Sequence, residues 1–133
     1  MKIIFYQNGE AININTSNLD LAGIYKKIKR LSENTTDKLR IYVSEERIEQ
    51  LKQTETALEI IFEKEIEISS PAFGTEKIKR IFFPLSGDFI GNGESPVITI
   101  FLGTVNYYYP DALRNPTGYK DLMLLKNMVT KQI

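Results

Sequence analysis

Four glutamates, Glu59, Glu63, Glu65 and Glu67, recur at odd positions within the run 57–68. If that run is a strand, odd positions share a face, and neighbours two apart lie about 6.5–7 Å from each other along it. Crowded carboxylates repel, and burying them without partners is expensive, so the row is expected to face solvent or a cationic surface. Three kinds of chemistry suit such a row. One is a docking stripe for a basic partner, another a divalent-cation site built from oxygen ligands, and the third a carboxylate pair for hydrolysis. The plain alternative is a solvated sheet face that discourages edge-to-edge pairing.

Tyr107-Tyr108-Tyr109-Pro110 is a second group with chemical potential. On an extended segment Tyr107 and Tyr109 point one way and Tyr108 the other. A tyrosine joins a large apolar body to a polar tip, which makes it a frequent interface anchor. Base stacking is disfavoured, because the nearest cation in the chain is Arg114. The loop 85–96 is rich in glycine but has no Gly-Lys-Ser/Thr, and a strand follows it where a phosphate loop would need a helix. Its Phe89 and Ile90 either return to the core or mark a contact surface. Lys26, Lys27, Lys29 and Arg30, with Lys38 and Arg40 beyond, read as a solvated helix face or a weak contact for RNA or an anionic membrane.

What is missing narrows the chemistry further. The chain has 133 residues with no Cys, His or Trp. Disulfides, thiol nucleophiles, thiolate or imidazole metal ligands and His-containing triads are therefore excluded. No motif implies a cofactor or a metal. The 17 basic and 17 acidic residues balance, which argues against a nucleic-acid binder that works through its overall field. The balance conceals segregation, since residues 44–67 carry eight acids against three bases and residues 20–43 carry six bases against three acids.

The elements that must position these groups follow from periodicity and turn chemistry. Lys2–Tyr6, Asn8-Gly9 and Glu10–Ile14 predict a β-hairpin over 2–14. Ser17 or Asn18 is expected to cap a helix whose buried stripe is Leu21, Ile24, Ile28 and Leu31. Leu39–Val43 reads as a strand, and Ser44 caps a short helix that buries Ile48 and Leu51. For 57–68 the alternation of Leu58, Ile60, Phe62, Ile66 and Ile68 with the glutamates favours a strand over one long helix continuing from Ile48. Ile78–Leu85 and Val97–Leu102 are further strands; Val105–Tyr109 is expected to prolong the latter, and Pro110–Asn115 to be a loop. Asn115 as cap and Pro116 as first residue start a last helix with Leu122, Leu125 and Val129 inward.

The order is β-β-α-β-α-β-β-β-α, with short connections between the later strands. That predicts one α+β domain over 1–133, a mainly antiparallel sheet of about five to six strands with two or three helices packed on one face. No apolar run approaches the roughly 20 residues of a membrane span and no signal peptide is evident, so a cytoplasmic protein is expected.

The favoured functional expectation is a non-enzymatic protein-binding module. Its concrete form is a small inhibitor or immunity-type protein that lays an acidic face on a basic partner such as a toxin nuclease. Glu59, Glu63, Glu65 and Glu67 would mimic phosphates, and Tyr107 and Tyr109 would anchor the contact. One alternative is a small carboxylate- or metal-dependent hydrolase using Glu63, Glu65, Asp88 and Glu94. Another is a homo-oligomeric structural protein, a homodimer for instance, in which an exposed strand such as Val97–Leu102 pairs across a two-fold axis.

Overall fold

Asn8 (φ 55°) and Gly9 (φ 78°) both adopt the left-handed backbone that a type I′ turn requires, and they close β1 (Lys2–Gln7) onto β2 (Glu10–Asn13) as an antiparallel hairpin. The computed structural model describes residues 1–131 and 133. After β2 come α1 (Leu21–Glu33), β3 (Asp37–Tyr42), α2 (Glu45–Thr54), β4 (Ala57–Ser70), β5 (Gly74–Pro84), β6 (Ile98–Gly103), β7 (Asp111–Asn115) and α3 (Tyr119–Thr130). The strands form one antiparallel seven-stranded sheet in the order β2-β1-β4-β5-β6-β7-β3. The α+β class is as expected, the element order is the expected one with a strand added before the last helix, and residues 57–68 are strand. Among the described residues no helix is long and apolar enough to cross a membrane.

Three local assignments are corrected. The cap of α1 is Asp20, whose Oδ1 accepts the Gly23 N–H at 3.0 Å; Ser17 and Asn18 lie in the preceding turn. Asp20→Ala is therefore expected to lower stability by about 1 kcal/mol, whereas Ser17→Ala leaves the thermal melt where it was. Circular dichroism melts of both variants check this, and equal shifts would reassign the cap. Residues 111–115, expected as loop, are the seventh strand. Asn115 is not a helix cap, because its side chain is buried, donating to the Leu31 carbonyl at 3.0 Å and accepting the Thr117 N–H at 3.1 Å. The last helix begins instead at Tyr119, with Gly118 at its cap position.

The sheet is apolar on both faces. Ile3 and Phe5 of β1, Leu58 and Ile60 of β4, Ile81 and Phe83 of β5, Ile100 of β6 and Leu113 of β7 form one core with Ile24, Ile28, Leu122 and Leu125 from α1 and α3. Their alternates Ile4 and Tyr6, Ala57, Phe82, Phe101 and Ala112 form a second core with Ile48 and Leu51 of α2. The expected single helical layer is thus two layers, with α2 on the face opposite α1 and α3. Continuous apolar runs such as Ile3-Ile4-Phe5-Tyr6 and Ile100-Phe101-Leu102 are what strands covered on both faces require.

The β4–β5 hairpin outreaches its neighbours. β1 pairs only with Ala57–Ile61 of β4, and β6 only with Arg80–Phe82 of β5. Beyond that point the hairpin is a two-stranded arm. Between Ile61↔Arg80 and Ile66↔Ile78 its register shifts, β4 spending five residues where β5 spends two. The arm's tip returns over the first core, where Ala72 and Phe73 pack, and Ser70 Oγ lies 2.8 Å from Thr35 Oγ1 beyond the end of α1.

Candidate functional site

The glutamate row does not survive folding as one surface. Glu59 is 2% exposed, which removes it from any docking stripe. It sits on the interior strand β4 between Ile4 and Phe82, on the face that α2 covers. Its carboxylate is fully engaged. Tyr6 donates its phenol O–H to one oxygen at 2.8 Å, Tyr108 donates to the other at 2.6 Å, and the Lys52 ammonium of α2 stands 3.4 Å away. Burial alone raises such a carboxyl, but the two phenol hydrogen bonds and the Lys52 charge outweigh it and hold Glu59 below the usual carboxylate range. Burial and the facing carboxylate push both phenols well above their ordinary value.

The same sites explain the supporting parts. Lys52 lies over the Tyr6 ring at 5.5 Å and also pairs with Glu49 at 2.9 Å. Arg80 covers the Tyr108 ring at 5.6 Å and donates to the Val105 carbonyl. Gly103 is bare for a reason. A Cβ there would stand 2.6 Å from the Tyr107 carbonyl and 2.9 Å from the Tyr108 ring, so only glycine lets the chain turn back and deliver Tyr108 to Glu59. Residues 104–107 are accordingly a turn, closed by the Thr104 N–H to Tyr107 carbonyl bond at 2.8 Å, and not the expected prolongation of β6.

Glu63, Glu65 and Glu67 are exposed, but each has a different environment. Glu63 lies 3.5 Å from the Met1 amino group. Glu67 is directly opposite Lys77 across the arm, which offsets its charge. Glu65 lies inside the register shift. Burial raises the Tyr109 phenol, and the negative charges of Glu76 and Glu65, together with neighbouring Tyr107, add to the rise. Tyr107 and Tyr109 meet edge to face at 5.7 Å, Tyr107 49% exposed and Tyr109 half-buried, while Tyr108 points the other way as the alternation required. Tyr109 and Glu76 thus line one cleft, Tyr107 stands edge-on to Tyr109, and the Glu65 charge is near enough to act on the Tyr109 phenol. Glu76 was missed from sequence; its pairing with Ile68 in the β4–β5 register places it there.

The residues of the hydrolase alternative are not brought together. Asp88 sits 4.0 Å from Arg47 of α2, Glu94 lies in an exposed turn whose N–H bonds to the Asn92 side chain, and Glu63 stands by Met1. Among the described residues no three acidic side chains are grouped so as to hold a metal ion. Phe89 returns to the second core, edge-on to Phe101 at 5.4 Å, which resolves the loop 85–96 as packing. Lys27 and Arg30 pair with Asp121 of α3 at 3.6 and 3.7 Å, so half of the basic cluster ties two helices together. The strand expected to mediate a homodimer is β6, which is hydrogen-bonded on both sides by β5 and β7 and offers no edge. Comparisons with protein-family models, with curated proteins and with solved structures find no significant match for this chain.

Proposed function

We propose that this chain is a non-enzymatic protein-binding module that meets a basic partner through Tyr107, Tyr109, Glu65 and Glu76. The observation that carries the reading is the edge-to-face tyrosine pair, one ring exposed, with Glu65 and Glu76 close enough to act on Tyr109. Rigid aromatic anchors supply binding energy at small entropic cost, and carboxylates around them favour a cationic partner and speed its approach. The concrete form is a small inhibitor of the immunity type, in which the carboxylates take the place of nucleic-acid phosphates on a basic active site such as that of a toxin nuclease.

The immobilised chain, incubated with native lysate at low salt, is expected to retain a basic protein. Tyr107→Ala/Tyr109→Ala should weaken retention about 30-fold or more, the loss of one interface anchor being about 2 kcal/mol. Glu65→Gln/Glu76→Gln should slow association and flatten its salt dependence. A retained set that is identical for wild type and both variants sinks the proposal. Loss of nucleic-acid cleavage when the chain is added to the retained protein carries the inhibitor form.

A further inference from the structure

Where the arm's tip meets the sheet it leaves a cleft of about 100 Å³ lined by Lys38, Phe73, Glu76, Leu102, Tyr109, Asp111 and Leu113. Its walls come from five places in the chain: β3, the arm, β6, the Tyr109 segment and β7. Phe73, Leu102 and Leu113 are its apolar part and belong to the first core. Glu76, Asp111 and Lys38 are its charged part, with Lys38 Nζ 3.5 Å from Asp111 Oδ2 and both side chains about half exposed.

Its size and charge decide what it can take. Sites for cofactors and drug-sized ligands run to about 300–1,000 Å³, so this cleft is too small for a nucleotide and suits one slender side chain. An anionic occupant would meet Glu76 and Asp111 against the single ammonium of the lining, that of Lys38. A cationic side chain meets carboxylates at its head, the Tyr109 ring beside it and apolar carbon along its stem.

We propose that the cleft receives a lysine side chain of the partner, the stem lying on Phe73, Leu102 and Leu113 and the ammonium between Glu76 and Asp111. This rests on the protein-binding reading and names the partner's anchor chemistry. Lys38 is the gate, because it occupies Asp111 until the incoming ammonium displaces it.

The test is a titration of isotope-labelled protein with the blocked peptide acetyl-Gly-Lys-Gly-amide, followed by amide chemical shifts. Saturable shifts at Phe73, Leu102 and Leu113 are expected, with a dissociation constant on the order of millimolar. The norleucine peptide, which keeps the four-carbon stem and lacks the ammonium, should bind at least tenfold more weakly. Glu76→Gln/Asp111→Asn should lose about tenfold, while Lys38→Met should tighten the lysine peptide several-fold, which a purely structural role for these residues would not do. No saturable shift up to about 20 mM, equal binding of the norleucine peptide, or weaker binding by Lys38→Met overturns the proposal. A lysate protein whose retention depends on Tyr107 and Tyr109 but is indifferent to Glu76→Gln/Asp111→Asn also overturns it, and leaves the module standing. Saturable lysine-peptide binding with no retained protein supports the cleft and removes the module.

Discussion

Glu59→Leu is expected to cost about 3–5 kcal/mol, the usual result of removing one partner from a buried charged network. The two buried phenols of Tyr6 and Tyr108 lose their acceptor, and Lys52 keeps only Glu49. For a chain of this length the midpoint of thermal unfolding should fall by about 10–18 °C. Glu59→Gln should lose about half as much, because its amide oxygen still accepts one phenol proton. Replacing the whole set, as in Glu59→Leu with Tyr6→Phe, Tyr108→Phe and Lys52→Met, should recover most of the loss, since an apolar core of similar volume leaves nothing unsatisfied. Urea unfolding followed by circular dichroism measures all three, and a loss below about 1 kcal/mol for Glu59→Leu would show that the network is not what holds α2 down.

The pH dependence has a definite sign. Glu59 is held below the usual carboxylate range in the folded chain, so its contribution is complete above the unfolded value of about 4.3 and is lost as pH falls through the folded value. The stability gap between wild type and Glu59→Gln should be flat at neutral pH and close below about pH 4. Asp37, lowered by its hydrogen bonds from Arg114, adds to the same acid limb, and Arg114→Gln separates the two.

Phe82→Ala is the second large effect, expected at about 3–5 kcal/mol of a total stability on the order of 5–15. Phe82 is 0% exposed and lies at the centre of the second core, 6.4 Å from the Tyr6 ring, 6.3 Å from Phe101 and 6.1 Å from Tyr108. It also stands directly opposite Glu59 on the neighbouring strand. The cavity would lose packing contacts and admit water beside the carboxylate. The Tyr6 and Tyr108 phenols, raised chiefly by burial, should then titrate closer to their ordinary value, which tyrosinate absorbance reports directly. Phe82→Leu, which keeps most of the volume, should cost about 1–2 kcal/mol and leave the phenols raised. A cost below about 1 kcal/mol for Phe82→Ala would mean that the α2 face is not a core.

The local features were legible in the chain because they depend on neighbours a few residues away. Asn8-Gly9 dictates its own turn, Ser44 accepts the Arg47 N–H at 3.2 Å as a cap should, and the alternation through 57–68 made a strand of it. The opposed directions of Tyr107, Tyr108 and Tyr109 came from extended geometry alone. What misled was treating one charged face as continuous. Ile61 among the odd-numbered glutamates was the available warning, since an apolar residue in that row means that part of the row is covered.

Covering is a property of the assembled fold. Glu59 and Glu63 have the same side chain and the same parity, yet one lies beneath α2 with two phenols and an ammonium while the other is exposed inside the register shift. The difference is the reach of β1, which ends its pairing at Ile61, and the docking of Ile48 and Leu51 on that face. Likewise Asp111–Asn115 is a strand because β3 and β6 flank it, not because its five residues prefer to be one. The amino-acid sequence by itself determined the turns, most of the elements and their order, which short-range sterics and hydrogen bonds set. Only the tertiary structure decided which carboxylates are buried and which share a surface with Tyr107 and Tyr109, because burial and charge proximity are set by elements far apart in the chain.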